Sequence, residues 1–476
     1  MPRLLRTILL GLALAISSPA AAWQESLQTR VEAELARAPA GTRFGLVVAD
    51  ADGRELIAIN PEGRFIPASN TKLLTTAAAY FTLTGMDRPD AAGGASVRLE
   101  GDGRARNVIL TGHGDARLSS AADCVANCLA ALADAVAART RRVGDIVGDG
   151  TLFPDQRWSP GMSWNNIHTR SGTAISALSL DDNELLLRVT PGAAGQPPLL
   201  DFLPYYRVVN RAVTAAGATT ALAFTRLPGS DVVTLTGTIA AGAQPETLRL
   251  GIDDPAHYAA WRLRMMLEAR GVRVAGRVAA RHRAPDEQGG PPQPAGAALA
   301  RLVPPPLADD IARINKASQN LHAELLLRRV GLARGSGSIE DGVAAVSSMM
   351  EQAGVPRTAW DLSDGSGMST YNRLAPRAVV KLLRWAAAQP WGAQWRASLP
   401  IAGVDGTLSS RFRATNLERR LFAKTGGLNA TSALSGYMTA RSGRTLTFSF
   451  FANDVPGGGG ATPTMDAALQ LIADAN

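Results

Sequence analysis

The chain carries four lysines among 49 basic residues, so arginine serves wherever a positive charge is enough. Lys72 lies in Ser69-Asn70-Thr71-Lys72, Lys424 opens Lys424-Thr425-Gly426, and Lys316 stands two residues before Ser318-Gln319-Asn320. An ammonium can lose its proton when its surroundings depress its pKa, whereas a guanidinium in a protein does not. The retained lysines therefore point to serine chemistry with a lysine base. If the three motifs describe one active site, the fold must bring together segments 249 residues apart, counted from Ser69 to Ser318.

The local patterns suit that arrangement. Residues 44–49 read as a strand, Asp50-Ala51-Asp52-Gly53 as a turn and residues 54–59 as the returning strand of a hairpin. Residues 73–80 are rich in helix formers, which puts Ser69 and Lys72 one turn apart on one helical face. Residues 307–330 carry apolar side chains at helical spacing and contain Ser318-Gln319-Asn320; residues 421–425, 432–439 and 445–452 then read as antiparallel strands, followed by a helix over 464–473.

Between these ends the texture changes. Residues 86–295 are rich in Gly and Arg, contain many short strand-like runs, and end in the linker-like Gly289-Gly290-Pro291-Pro292-Gln293-Pro294. The expected organisation is a discontinuous domain of residues 23–85 and 296–476, interrupted by an inserted region over 86–295 that forms one domain or two nested ones. A chain of 476 residues exceeds what one hydrophobic core usually supports. Residues 1–22 have the layout of a cleavable secretory signal peptide: Arg3 and Arg6, an apolar run over 8–16, then Ala20-Ala21-Ala22. No later apolar stretch is long enough to span a bilayer, so a periplasmic protein with no transmembrane anchor after cleavage is expected. The net charge of +8 is spread evenly, without basic runs or interleaved aromatics, which argues against a nucleic-acid partner.

Cys124 and Cys128 are the two cysteines, at the start of an Ala-rich helical stretch, and in an oxidising compartment a pair this close is expected to form a local disulfide. His113, His168, His257, His282 and His322 show no ligand spacing, and neither a metal nor another cofactor is called for.

Alone, a serine three residues before a lysine carries little information: ordinary usage would place one before any of four lysines in roughly a quarter of such chains. An isolated pair of this kind is more often a helix cap and a solvated lysine. Three motifs in this order, each in a fitting context, form the set S-x-x-K, S-x-N and K-T-G of penicillin-binding proteins and class A β-lactamases. With its large insertion between the first two motifs, the chain resembles the D-alanyl-D-alanine carboxypeptidase/endopeptidase family of low-molecular-mass penicillin-binding proteins. Gly112-His113-Gly114-Asp115 and Gly144-Asp145-Ile146-Val147-Gly148-Asp149 look like the family's insertion signatures. Asp364-Gly365-Ser366-Gly367-Met368-Ser369, Gly403-Val404-Asp405-Gly406-Thr407-Leu408 and Ser432-Ala433-Leu434-Ser435-Gly436-Tyr437 match its C-terminal half.

The resemblance implies an α+β multidomain fold whose transpeptidase-type domain is an antiparallel sheet flanked by helices, with inserted, mainly β or αβ domains. It implies peptidoglycan stem peptides as substrate and β-lactam antibiotics as inhibitors. Ser69 is the expected nucleophile and Lys72 its base, held near neutrality by burial and by the Lys424 cation. Ser318 suits a proton relay, Asn320 the substrate amide, and Lys424 with Thr425 the terminal carboxylate, in the run Lys424-Thr425-Gly426-Gly427. Backbone N–H groups of Ser69 and Gly427 suit an oxyanion hole. Lys316 fits a place beside the site as well as one on the surface, Lys381 is a surface charge, and Asp364 and Ser366 are turn formers. Two positions depart from the family pattern: Gly427 replaces a hydroxyl residue, and Asn166 stands where relatives often have an acid. A β-lactam hydrolase or esterase on the same fold, and a non-catalytic peptidoglycan-binding scaffold, are the alternative functions.

Overall fold

The computed structural model describes residues 19–103, 105–217, 219–285, 296–457 and 460–476. The expected leader lies outside the described residues up to position 18, as does the linker-like stretch at 289–294.

The chain's two ends build one five-stranded antiparallel sheet. Its strands are β1 (Arg43–Ala49), β2 (Glu55–Ile59), β3 (Leu421–Leu428), β4 (Thr431–Thr439) and β5 (Thr445–Asn453), in the spatial order β3-β4-β5-β1-β2. Side chains alternate across a strand, and here both faces are covered. Phe44, Leu46 and Val48 of β1 and Phe448 and Phe450 of β5 pack with the helices Pro19–Leu35 and Thr462–Ala475 on one side. On the other side Phe451, Ala433 and Tyr437 join a core with α1 (Thr71–Thr82), α2 (Leu307–Lys316), α3 (Asn320–Leu332) and the helices Ile339–Gln352 and Pro376–Ala387. This two-sided burial explains why β1 and β5 read as nearly continuous apolar runs.

Residues 307–330 do not form one helix. α2 ends at Lys316 and α3 begins at Asn320, because Ser318 adopts a left-handed backbone with φ +57° that a continuous helix excludes. The break turns the Ser318 hydroxyl out of the helical ladder toward β3.

The middle of the chain holds separate sheets. One, in spatial order, pairs Val278–Arg283, Ile146–Pro154, Asn107–Thr111, Ser96–Glu100 and Ala300–Arg301. Its three parallel strands are joined through the helices Leu129–Arg139 and Pro255–Ala269, as parallel pairing requires a crossover. The sheet reaches beyond residue 295, since Ala300–Arg301 pairs with Ser96 and Val97. Smaller sheets around Glu184–Thr190 and Val232–Ala240 share its hydrophobic core, which draws its buried residues from positions between 95 and 272. Cys124 and Cys128 are bonded, with Cα atoms 5.8 Å apart, and both precede the helix that starts at Leu129. No helix among the described residues is long and apolar enough to cross a membrane.

Candidate active site

Ser69 sits in a single 3₁₀ turn, Ala68–Asn70, that leads into α1. Ala68 before it has φ +46°, and a Cβ on Gly367 would lie 1.9 Å from the Ala68 carbonyl oxygen. The glycine turn at 364–369 therefore presses against the backbone of the serine, and only glycine fits there. Gly426 of β3 makes a similar approach from the opposite wall: a Cβ there would lie 2.7 Å from the Pro67 carbonyl oxygen. The Asn70 side chain ties the two walls by donating to the Lys424 carbonyl at 2.9 Å.

Lys72 is fully buried one turn after Ser69. Its ammonium nitrogen donates to Ser69 Oγ at 2.9 Å, to Asn320 Oδ1 at 2.7 Å and to the Ser366 carbonyl at 2.6 Å. Burial brings its pKa from 10.5 down to about 7, against the opposing charges of Asp364 and Glu324. That difference disfavours the ammonium by on the order of 5 kcal/mol. Lys424, also fully buried, donates to Ser318 Oγ at 2.9 Å and to the Thr425 carbonyl at 3.0 Å. Its pKa is depressed first by burial and then by the Lys72 charge. Desolvation is thus the leading cause for both lysines, and the repulsion between their charges, which is mutual, acts in the same direction.

The structure brings Ser69, Lys72, Ser318, Asn320, Lys424 and Thr425 together, with Gly426 and Gly427 continuing along β3. Asn320 is more constrained than its sequence suggested. One end of its amide accepts from Lys72, and the other donates to the Ser171 carbonyl at 3.0 Å, from the middle of the chain. Lys316 lies beside the site: it pairs with Asp405 at 2.6 Å, and Asp405 also accepts from the Ile401 N–H. That clasp fixes the 403–408 loop so that Thr407 Oγ1 lies 2.7 Å from Thr425 Oγ1. Asn166 ends the short turn Trp164–Asn166 of the segment that carries Ser171.

Glu324 escaped sequence reasoning, as did the bearing of Asp364 and His322 on the site. Glu324, buried in α3, accepts the N–H groups of Gly365 at 3.0 Å and Ser366 at 2.9 Å and pairs with Arg328 at 2.9 Å. Asp364 accepts the N–H groups of Gly367 and Ser369 and the Asn372 amide; burial and the Glu324 charge push its pKa up to about 6. These two carboxylates shape the turn whose Ser366 carbonyl meets Lys72, so Asp364 and Ser366 are turn formers with a direct bearing on Lys72. His322, two residues past Asn320, is buried between Asp310 at 2.5 Å and Asp182 at 2.8 Å. The two acids overcome its desolvation and hold its pKa up at about 9. The spacing of Glu324 one turn after Asn320 was the available signal; nothing local announced that Asp182 would reach His322 from 140 residues away.

Comparison with known proteins places this geometry. The model of the D-Ala-D-Ala carboxypeptidase 3 (S13) family matches residues 27–475. The chain is 34% identical to a D-alanyl-D-alanine carboxypeptidase of Actinomadura sp. (strain R39), over 99% of this chain and 89% of that one. It is 26% identical to D-alanyl-D-alanine carboxypeptidase DacB of Haemophilus influenzae, over 90% of this chain and 89% of that one. The crystal structure of penicillin binding protein 4 (dacB) from Haemophilus influenzae shares the fold, with a TM-score of 0.80 at 23% identity over 93% of this chain and 98% of that one.

Proposed function

Given that the chain belongs to the D-Ala-D-Ala carboxypeptidase 3 (S13) family, a family of serine-type carboxypeptidases, we propose that it is a periplasmic enzyme that cuts the terminal D-Ala-D-Ala bond of peptidoglycan stem peptides through an acyl-enzyme on Ser69. The observation that carries this reading is the fully buried Lys72 ammonium 2.9 Å from Ser69 Oγ, with a pKa of about 7. Near neutral pH a large share of Lys72 is the free amine, able to accept the hydroxyl proton as Ser69 attacks.

In this mechanism the substrate lies along the outer edge of β3, and its terminal carboxylate meets Lys424, Thr425 and Thr407. Because Gly427 carries no hydroxyl, Thr407, hydrogen-bonded to Thr425, supplies the second one. The carbonyl oxygen takes up negative charge opposite the N–H groups of Ser69 and Gly427. Asn320 holds Lys72 in line and keeps a lone pair on Oδ1 for the substrate amide. Ser318, linked to Lys424, passes a proton to the leaving nitrogen, and water then releases the acyl group. Cross-linked strands present the same acyl half, so endopeptidase action uses the same steps. A β-lactam, whose strained amide and carboxylate imitate that substrate, acylates Ser69. The signal-like residues 1–22 and the Cys124–Cys128 bond support export to an oxidising compartment.

Incubation with labelled penicillin, followed by mapping of the adduct, tests the reading. A stable adduct on Ser69, together with D-alanine release from a D-Ala-D-Ala pentapeptide, is expected; an unlabelled protein, or label elsewhere, refutes it.

A further inference from the structure

A concavity lies apart from Ser69, Lys72 and Lys424, none of which lines it. It is a cavity of about 770 Å³ in the middle region, walled by the 116–122 segment, the sheet around Glu184–Thr190, the helix Pro255–Ala269 and Arg313 of α2. That volume suits a drug- or short-peptide-sized ligand. Its polar lining is unevenly paired. Asp181 is occupied by the hydroxyls of Ser119 and Ser120, Asp182 by His322 and Arg313, and Glu184 by Arg249 and Arg170. Arg188 lies opposite Asp201 on the neighbouring strand. Arg117 and Arg262 have no such complement: neither forms an ion pair among the described residues. Arg117 has a buried Nη1 with no hydrogen-bond partner, and Arg262 reaches only the Ser120 hydroxyl and the Met265 sulfur. A guanidinium in a concave wall without its own carboxylate is a receptor for one.

The acids of the lining narrow the class of ligand. Asp181, Asp182, Glu184 and Asp201 would repel a polyphosphate, while a peptide bearing one or two carboxylates and several N–H donors answers both signs of charge. Phe202 and Leu203 add apolar surface for its aliphatic parts. We propose that this cavity is a second peptide-binding site, which takes a carboxylate-bearing peptidoglycan stem peptide distinct from the one at Ser69. The proposal rests on the reading of the enzyme as a peptidoglycan peptidase. Asp182 joins the two sites physically, since it lines the cavity and accepts from both His322 and Gln319 beside the catalytic asparagine. A strand held there stays tethered while the cleft turns over its neighbours.

The test is a calorimetric titration of the protein with N-acetylmuramyl pentapeptide after complete acylation by benzylpenicillin, which blocks the catalytic cleft. Binding should persist in the acylated protein, weaken about tenfold or more in Arg117→Gln/Arg262→Gln, and be lost with a peptide whose carboxylates are amidated. The double variant should acylate at the wild-type rate, which reports an intact fold; if it does not, the single changes carry the same comparison. No binding after acylation, or wild-type affinity in the arginine variants, overturns the second site. Failure of penicillin to acylate the wild type would count against the Ser69 reading alone, and the arginine variants titrated without penicillin would still decide the cavity.

Discussion

Lys72 and Lys424 occupy equally buried positions, and the proposed mechanism gives them different work. A base must shed its proton, so Lys72→Arg keeps the charge and removes the function. Acylation by penicillin is expected to fall about 10²–10⁴-fold, the usual worth of a general base, and nearly as far as in Ser69→Ala. In the proposed mechanism Lys424 acts by charge. Since burial and Lys72 lower its pKa, a bound carboxylate restores its ammonium, and substrate binding takes up a proton. Affinity for a D-Ala-D-Ala acid should therefore fall as pH rises through that depressed value, while affinity for the corresponding amide should not. Lys424→Arg should retain more activity than Lys424→Ala. Thr407→Val should weaken acid substrates about tenfold, the worth of one hydrogen bond to a charged group, and leave the amide unchanged; equal loss on both would remove Thr407 from the carboxylate site. The Ser-x-x-Lys and Lys-Thr-Gly pairs were legible in the sequence because their chemistry depends on residue type and short spacing. Thr407 was legible only as part of a family-like run, because its contact with Thr425 is made by folding and by the Lys316–Asp405 clasp.

At the scale of elements, periodicity located the strands β1 to β5 to within a residue or three at their ends, since each carries a dense apolar run. It failed where α2 meets α3. Apolar residues keep helical spacing across the break, and the left-handed Ser318 that interrupts it leaves no mark in composition. The start of α3 is held instead by His322 between Asp310 and Asp182. The pKa of His322 is raised from 6.5 to about 9 on folding, so its stabilisation is complete below about 6.5 and is lost as pH rises through about 9. The thermal midpoint of the wild type should decline over that window, and His322→Gln should start lower and show a flatter dependence. A midpoint equally sensitive to pH in both proteins would contradict this. Glu324→Gln should act through the 364–369 turn, slowing acylation and shifting its pH dependence by removing one charge that favours the Lys72 ammonium.

For the whole molecule, we propose that the middle region is an insertion that leaves the catalytic body near residue 86 and returns near Pro304, slightly later than residue 296 suggested. The chain departs and comes back side by side, with the Asp90 N–H donating to the Pro304 carbonyl at 2.9 Å. Closing such a short gap costs little loop entropy. A chain joined directly from Asp90 to Pro304 should keep the five-stranded sheet by circular dichroism. It should label with penicillin more slowly, because Asn320 loses the Ser171 carbonyl and His322 loses Asp182. Undiminished labelling would show that the insertion plays no part in setting the catalytic groups. That contribution was invisible in the sequence, since Ser171 and Asp182 belong to no motif and matter only through contacts made at long range.

The central claim is that a desolvated Lys72 is the base for Ser69, and the pH dependence of acylation by benzylpenicillin reads it directly. The second-order rate constant of the wild type should rise with pH through an apparent pKa near 7, where Lys72 becomes the free amine, and Lys72→Arg should show no such rise at any pH. A wild-type rate that stays flat through that range and climbs only near 10.5, or an arginine variant that acylates at the wild-type rate, would contradict the account.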